Sequence, residues 1–243
     1  MKKLLAPIVF TLLASSLATP VLAGPFSVTP VRIYMTPKDK AIAVTINNEG
    51  DTELVMQADV YTWKQKANGE DDLVLTEDLL LSPPIIKIAG KSRQVVRLAR
   101  LQPGATDQQQ TYRMIVREIP EATQNNKNMQ LQIAIAFSMP IFITPSQAKS
   151  KMDCVIERAA TDTVRAVCES TGNAYAQVID LEVTNAGNEK LASRTTGGYI
   201  LPTNKRTFEM KSENNKAIPA GSVVLTTKMD DGSTQTFNAT LSN

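Results

Sequence analysis

Apolar residues hold every second position of 129–143 without a break, at Met129, Leu131, Ile133, Ile135, Phe137, Met139, Ile141 and Ile143, and as far as Ser138 the residues between them, Gln130, Gln132, Ala134, Ala136 and Ser138, are polar or small. An extended chain turns successive side chains to opposite faces, so the run reads as one β-strand with a bulky apolar stripe. Strands average about 5–6 residues, and a run of this length outreaches an ordinary sheet. The overhang offers unpaired backbone groups beside a row of apolar side chains. Edge strands usually suppress both, so keeping them points to a partner that pairs with this strand.

The first residues place the chain. Lys2 and Lys3 precede an apolar stretch from Leu4 to Leu17, and Val21-Leu22-Ala23 satisfies the small-residue rule for cleavage before Gly24, so 1–23 reads as a secretory signal peptide. Pro7, Ser15, Ser16, Thr19 and Pro20 interrupt it as a membrane span, and no later segment is long enough to insert in a membrane. The whole chain carries 26 Lys and Arg against 24 Asp and Glu. Removing Lys2 and Lys3 balances the charge, which takes away the electrostatic basis for nucleic-acid binding. About 220 residues remain, enough for one large or two modest β domains.

Cys154 and Cys168 are the only cysteines. In an exported chain such a pair reads as a disulfide, and Ala159-Ala160-Thr161-Asp162 between them suits a bridged hairpin. Histidine is absent, so Ser-His or Cys-His nucleophile activation and imidazole metal sites are excluded. No two carboxylates are marked as a glycosidase pair, and Gly197-Gly198 leads into Tyr199-Ile200-Leu201-Pro202 rather than a phosphate-binding helix start. The expectation is a binding protein without catalysis, cofactor or metal.

Extended segments follow one another along the chain: 26–35, 40–47, 54–63, 79–87, 92–101, 112–119 and then 129–143. Turns punctuate them at Asn48-Glu49-Gly50-Asp51, Asn68-Gly69 and Ala89-Gly90-Lys91. Pro83-Pro84 marks an edge or connector, because proline cannot donate to a central ladder. This density fits an immunoglobulin-like sandwich over 24–145. The polar stretch Thr144 to Lys151 reads as a linker, and shorter strands at 154–158, 164–169, 175–184, 198–201, 206–210, 223–228 and 234–241 predict a second β-sandwich over 146–243.

Five segments in order, Thr29-Pro-Val-Arg-Ile-Tyr34, Thr45-Ile-Asn-Asn-Glu-Gly-Asp51, Pro83 to Leu98, Tyr112-Arg-Met-Ile-Val-Arg-Glu-Ile-Pro120 and Gln130 to Pro145, resemble the periplasmic pilus chaperones of the chaperone-usher pathway, the PapD-like family. The resemblance implies an all-β chain of two immunoglobulin-like domains set in an L. It implies that the long strand completes pilus subunits that lack a strand of their own, until an outer-membrane usher takes them over. Leu131, Ile133 and Ile135 are then the central donor residues, flanked by Met129 and Phe137, and the half from Phe137 to Ile143 packs in its own domain.

In the family an arginine and a lysine hold the subunit's terminal carboxylate. Arg32 stands at the arginine's place, and the lysine's place falls on Pro140. Arg113 and Arg117 share a strand face and either substitute for that cation, Arg113 before Arg117, as in an archaic-type branch, or form a solvated basic face. Glu118 matches a family glutamate that bridges the domains, with Thr144 at the place of its basic partner. An exposed apolar edge also makes a homo-oligomer of the free protein plausible. The competing readings are a structural pilin or adhesin subunit, which would need a terminal rather than internal donor segment, and a carbohydrate-binding sandwich, for which 6 Phe, 5 Tyr and 1 Trp are a thin resource.

Overall fold

The computed structural model describes residues 26–66, 68–102, 107–120 and 134–242. The signal peptide expected at 1–23 and the donor residues Met129, Leu131 and Ile133 lie outside the described residues. Among the described residues the first half forms ten strands: β1 (Phe26–Thr29), β2 (Ile33–Met35), β3 (Ala41–Asn48), β4 (Leu54–Gln65), β5 (Asp71–Leu75), β6 (Leu79–Ser82), β7 (Ile85–Ile88), β8 (Arg93–Arg100), β9 (Gln110–Glu118) and β10 (Ala136–Ile143). One sheet has the order β1-β3-β8-β6; the other has β2-β10-β9-β4-β5, with β7 also on β4. The inward residues of each strand meet between the sheets, among them Val44, Ile46, Val96 and Leu98 from the first and Met56, Val60, Met114, Val116, Met139 and Ile141 from the second. Period-two alternation is thus realised as two half-buried layers.

Two segments that read as single strands are each divided between the sheets. Residues 26–35 split into β1 and β2, and residues 79–87 into β6 and β7. Pro30 lies at the first crossing and Pro83-Pro84 at the second. Proline has no N–H for a ladder, so pairing stops there and the chain changes layer. The sequence reading missed β5 and the strand Lys190–Arg194, which are short and lack alternation; pairing with neighbouring strands extends them. The Asn48 turn is held from inside: its side-chain amide donates to the carbonyls of Thr52 (2.7 Å), Ile88 (3.0 Å) and Ala89 (3.1 Å), and its oxygen accepts the N–H of Gly50 (3.0 Å).

The second half contains β11 (Met152–Ala160), β12 (Thr163–Ser170), β13 (Ala176–Asn185), β14 (Lys190–Arg194), β15 (Gly198–Ile200), β16 (Lys205–Lys211), β17 (Gly221–Met229) and β18 (Thr234–Leu241). They form one sheet in the order β11-β12-β16-β14-β13-β17-β18, with β15 on β13. The sheet curls until β11 touches β18, enclosing a separate core that includes Val164, Leu181, Val183, Phe208 and Leu225. Cys154 faces Cys168 across the β11–β12 hairpin, and the two form a disulfide with Cα atoms 4.1 Å apart. The molecule is therefore all-β, with two domains.

A third apolar cluster joins them. Trp63, Phe142 and Leu201 are buried, with Leu73, Tyr175 and Tyr199 packed against them. The Phe142 and Tyr175 rings stack at 4.2 Å between centroids, and Trp63 meets Tyr199 edge-on at 5.2 Å. Two amides cross the junction. Gln65 donates to the Tyr199 carbonyl and accepts the Leu201 N–H, both at 2.9 Å. Gln109 donates to Thr144 Oγ1 at 2.8 Å and accepts the Tyr175 N–H at 3.0 Å. Gly69, in the β4–β5 turn, has φ +83, and a Cβ there would fall 2.7 Å from Arg206 Cγ of the second domain, so both conformation and space require glycine.

This corrects the role expected of Glu118. Glu118 pairs with Met56 at the end of β9 remote from the junction, and its N–H donates to the Ile135 carbonyl of the same domain. The polar contact with Thr144 belongs to Gln109, next to the start of β9, as a neutral amide–hydroxyl bond.

Two stability effects follow. The Cys154→Ser/Cys168→Ser protein loses about 3 kcal/mol, the loop-closure value for a ring of this size, in chemical denaturation monitored on the second domain. Phe142→Ala, which empties a fully buried ring site, lowers stability by about 3–5 kcal/mol and broadens the distribution of interdomain orientations seen by small-angle scattering.

Candidate functional site

Strand β10 lies between β9 and β2, but β2 pairs only with Ile141–Ile143. Among the described residues, Ala136 to Pro140 therefore have a ladder partner on one side and an open edge on the other. The Ile135 carbonyl accepts the Glu118 N–H at 3.0 Å, and the Thr144 N–H donates to the Met35 carbonyl at 2.8 Å. By antiparallel alternation, Ile135, Phe137 and Met139 direct their backbone groups to β9, whereas Ala136 and Ser138 direct theirs outward. Pro140 falls on the outward parity, so its missing N–H removes no bond to β9.

The two sheets also stop short of closing at this edge. β1 is the end strand of the first sheet, and its Phe26 meets Phe137 at 5.1 Å between ring centroids. Phe137 is 37% exposed, while Ile135 is half-buried against the domain's own core. Beyond them, Met139, Ile141 and Ile143 are sealed in that core, and Phe142 is sealed in the domain junction. The apolar stripe thus changes from exposed to buried within β10.

The expected cations divide into a pair and an outlier. Arg32 reaches across the junction to Asp230, with Nη1 3.0 Å from Oδ2. Arg113 lies opposite Pro140 in the β9–β10 register. Its guanidinium carbon sits 3.8 Å from the Trp63 ring centroid and its Nη2 is 3.2 Å from Asp71, with 15% of the side chain exposed. Arg32 and Arg113 each come within 5.9 Å of the Tyr199 ring, so the fold brings them to one aromatic platform. Arg117 is on the same strand face as Arg113 but bonds Asp59 and the Tyr61 hydroxyl, each at 2.8 Å, farther along the sheet.

Burial pushes the Arg113 guanidinium below its ordinary value, and Asp71 and Tyr199 oppose the shift. At Arg32 burial also acts downward, but the contacts with Tyr34, Tyr199 and Asp230 outweigh it and the net shift is upward. Burial, followed by the hydrogen bond with Tyr34, carries the Tyr175 hydroxyl far above the tyrosine range, so it remains a neutral donor. The Nε–H of Arg113 and the Nε1–H of Trp63 are buried without an acceptor among the described residues. Chemically, the junction offers two guanidinium groups on an aromatic floor, suited to a planar anion. No group of three or more candidate metal ligands occurs among the described residues.

Sequence reasoning did not find Gln65, Gln109 or Asp230. Asp230 lies in a stretch that reads only as a hairpin turn, and the glutamines carry no local signal because their partners come from the other domain. Trp63, which a sugar-binding reading would place on the surface, is buried and occupied by Arg113.

A family model described as pili and flagellar-assembly chaperone, PapD N-terminal domain, matches residues 25–149. The probable fimbrial chaperone LpfB of Escherichia coli O157:H7 is 26% identical over 144 residues, 58% of this chain and 59% of that protein. The match thus spans less than two thirds of that relative's length. The fold is shared with a chain of the CsuC–CsuE chaperone–tip adhesion subunit pre-assembly complex from archaic chaperone-usher Csu pili of Acinetobacter baumannii: 90% of this chain and 99% of that one align at TM-score 0.65 and 18% identity. It is also shared with the Salmonella enterica SafA pilin–SafB chaperone complex, over 92% and 99% of the chains, at TM-score 0.58 and 14% identity. With its two-sheet first domain matched from residue 25 to residue 149 of 243, the chain belongs to the pili and flagellar-assembly chaperone family of PapD type.

Proposed function

We propose that this protein is a periplasmic, non-enzymatic pilus-assembly chaperone of the chaperone-usher pathway. On this reading residues 1–23 are a signal peptide and the domains divide at 145/146. The chain captures pilus subunits whose immunoglobulin-like fold lacks a strand, completes them by donor-strand complementation through 129–143, and delivers them to an outer-membrane usher. The observation that carries the reading is the open edge of β10 at Ala136 to Pro140, where an exposed Phe137 adjoins an unclosed sheet boundary. Family membership supports the partner class, and the CsuC–CsuE and SafA–SafB complexes hold a subunit on the same fold.

Met129, Leu131, Ile133, Ile135 and Phe137 are the donated side chains. Each aliphatic group buried in a subunit groove contributes roughly 1.5–3 kcal/mol before ordering costs. The terminal carboxylate of the subunit is assigned to Arg32 and Arg113. The position of Arg113 opposite Pro140 supports it as the second cation, whereas Arg117 is already engaged by Asp59 and Tyr61. Self-association of the free protein through the same edge is a corollary.

Co-expression with pilus subunits tests strand donation. Ile133→Glu reduces capture more than tenfold at unchanged melting temperature, and capture equal to wild type rejects the donor role. Arg113→Gln weakens capture by roughly ten- to a hundredfold, the scale of a charged hydrogen bond, while Arg117→Gln leaves it within about twofold. Equal losses in the two variants would contradict the assignment of Arg113 in a quantitative binding assay.

A further inference from the structure

The cation at the first anchor position is not free: it is already paired with a carboxylate of the protein's own second domain. Arg32 Nη1 lies 3.0 Å from Asp230 Oδ2, with the two side chains 37% and 21% exposed. Among the described residues, Arg32 is the only cation in contact with that carboxylate. Asp230 is aimed by a tight turn after β17: its N–H donates to the Gln177 carbonyl at 3.1 Å, the Met229 N–H to Ser233 at 2.9 Å and the Gly232 N–H to Met229 at 3.1 Å.

The Tyr175 hydroxyl donates to Asp230 Oδ2 at 3.5 Å and, since a carboxylate only accepts, its oxygen accepts the hydrogen bond donated by the Tyr34 hydroxyl at 2.9 Å. Tyr34, Tyr175, Asp230 and Arg32 thus form a chain of polar contacts across the domain boundary. Its Asp230 end borders a cleft of about 570 Å³ lined by Tyr34, Gln109, Thr144, Tyr175 and Asp230 among others, into which the Asp230 carboxylate has room to turn.

We propose that Asp230 is an internal occupant of the Arg32 anion site, displaced when a carboxylate ligand arrives. The inference rests on the reading of Arg32 as a carboxylate anchor and adds the step that capture must perform. An incoming carboxylate on Arg32 would place a second negative charge beside Asp230, and Arg113, the other guanidinium at the Tyr199 ring, is already paired with Asp71, so the like charges repel in this half-buried site. Asp230 has to withdraw, and with it the only ion pair between the domains among the described residues. Asp230 therefore sets a threshold: only an anion that outcompetes a tethered carboxylate engages Arg32, and engagement loosens the junction at that point.

The test is an NMR titration of the mature full chain with N-acetylalanine, a minimal free C-terminus, following the backbone amide signals of Tyr34, Tyr175 and Tyr199 around the pair, with N-acetylalaninamide as the uncharged control. Asp230→Asn is expected to tighten N-acetylalanine binding by about two- to fivefold, the worth of a partly exposed ion pair. Asp231→Asn, which makes the same charge change but whose side chain accepts the Ser233 N–H instead of facing Arg32, is expected to bind like wild type. Unchanged or weaker binding by Asp230→Asn overturns the displacement, the weaker result making Asp230 a support that positions Arg32. Arg32→Gln should abolish the response. If it binds like wild type, the anchor reading itself fails; if Arg32 matters but Asp230→Asn binds no tighter, only the displacement fails. Absence of binding in wild type and Asp230→Asn alike removes both.

Discussion

The last five residues of β10, from Met139 to Ile143, are buried on both faces, and the rest of the molecule is arranged around that fact. Met139, Ile141 and Ile143 belong to the core of the first domain, while Phe142 belongs to the aromatic cluster that joins the domains. A slip of one residue would exchange the two sets and place branched aliphatics in an aromatic stack, so the register is fixed from both sides. β9 and the short β2 complete the constraint at the edges. One end of the strand is thus immobilised in two cores.

The junction combines apolar stacking with a few polar contacts that tolerate no substitute. Gln65 uses both amide atoms on the Tyr199–Leu201 backbone, which would otherwise leave a buried carbonyl and N–H unpaired. Arg113 remains charged in a largely buried position because the Trp63 face and Asp71 compensate for lost hydration. Two guanidinium groups are thereby held near one tyrosine ring before any ligand binds. On the proposed function, preorganisation of this kind would lower the ordering cost of carboxylate capture, and the Arg32–Asp230 pair would set the opposing cost.

Much of the fold was legible because its signals are local. The alternation in β3, β4, β8 and β9 needed only the period of an extended chain, and the Cys154–Cys168 hairpin needed only an even cysteine pair around a turn. Where the reading failed, the deciding partner lay far away in sequence. Residues 26–35 look continuous, yet Pro30 lets them serve two sheets. Glu118 and Gln109 flank the same strand, and only its direction relative to the second domain decides which one meets Thr144.

By itself, the sequence determined the all-β class, the two-domain length, the disulfide pair and the apolar stripe, since each follows from residue type and spacing along one chain. The tertiary structure alone decided where that stripe passes from exposed to buried, because this depends on how far β2 runs alongside β10. It also decided that Arg32 faces Asp230, that Arg113 rests on Trp63 opposite Pro140, and that Gln109 ties the domains. Charge, stacking and hydrogen bonding act over a few ångströms in space, and these partners meet only after the sheets have packed.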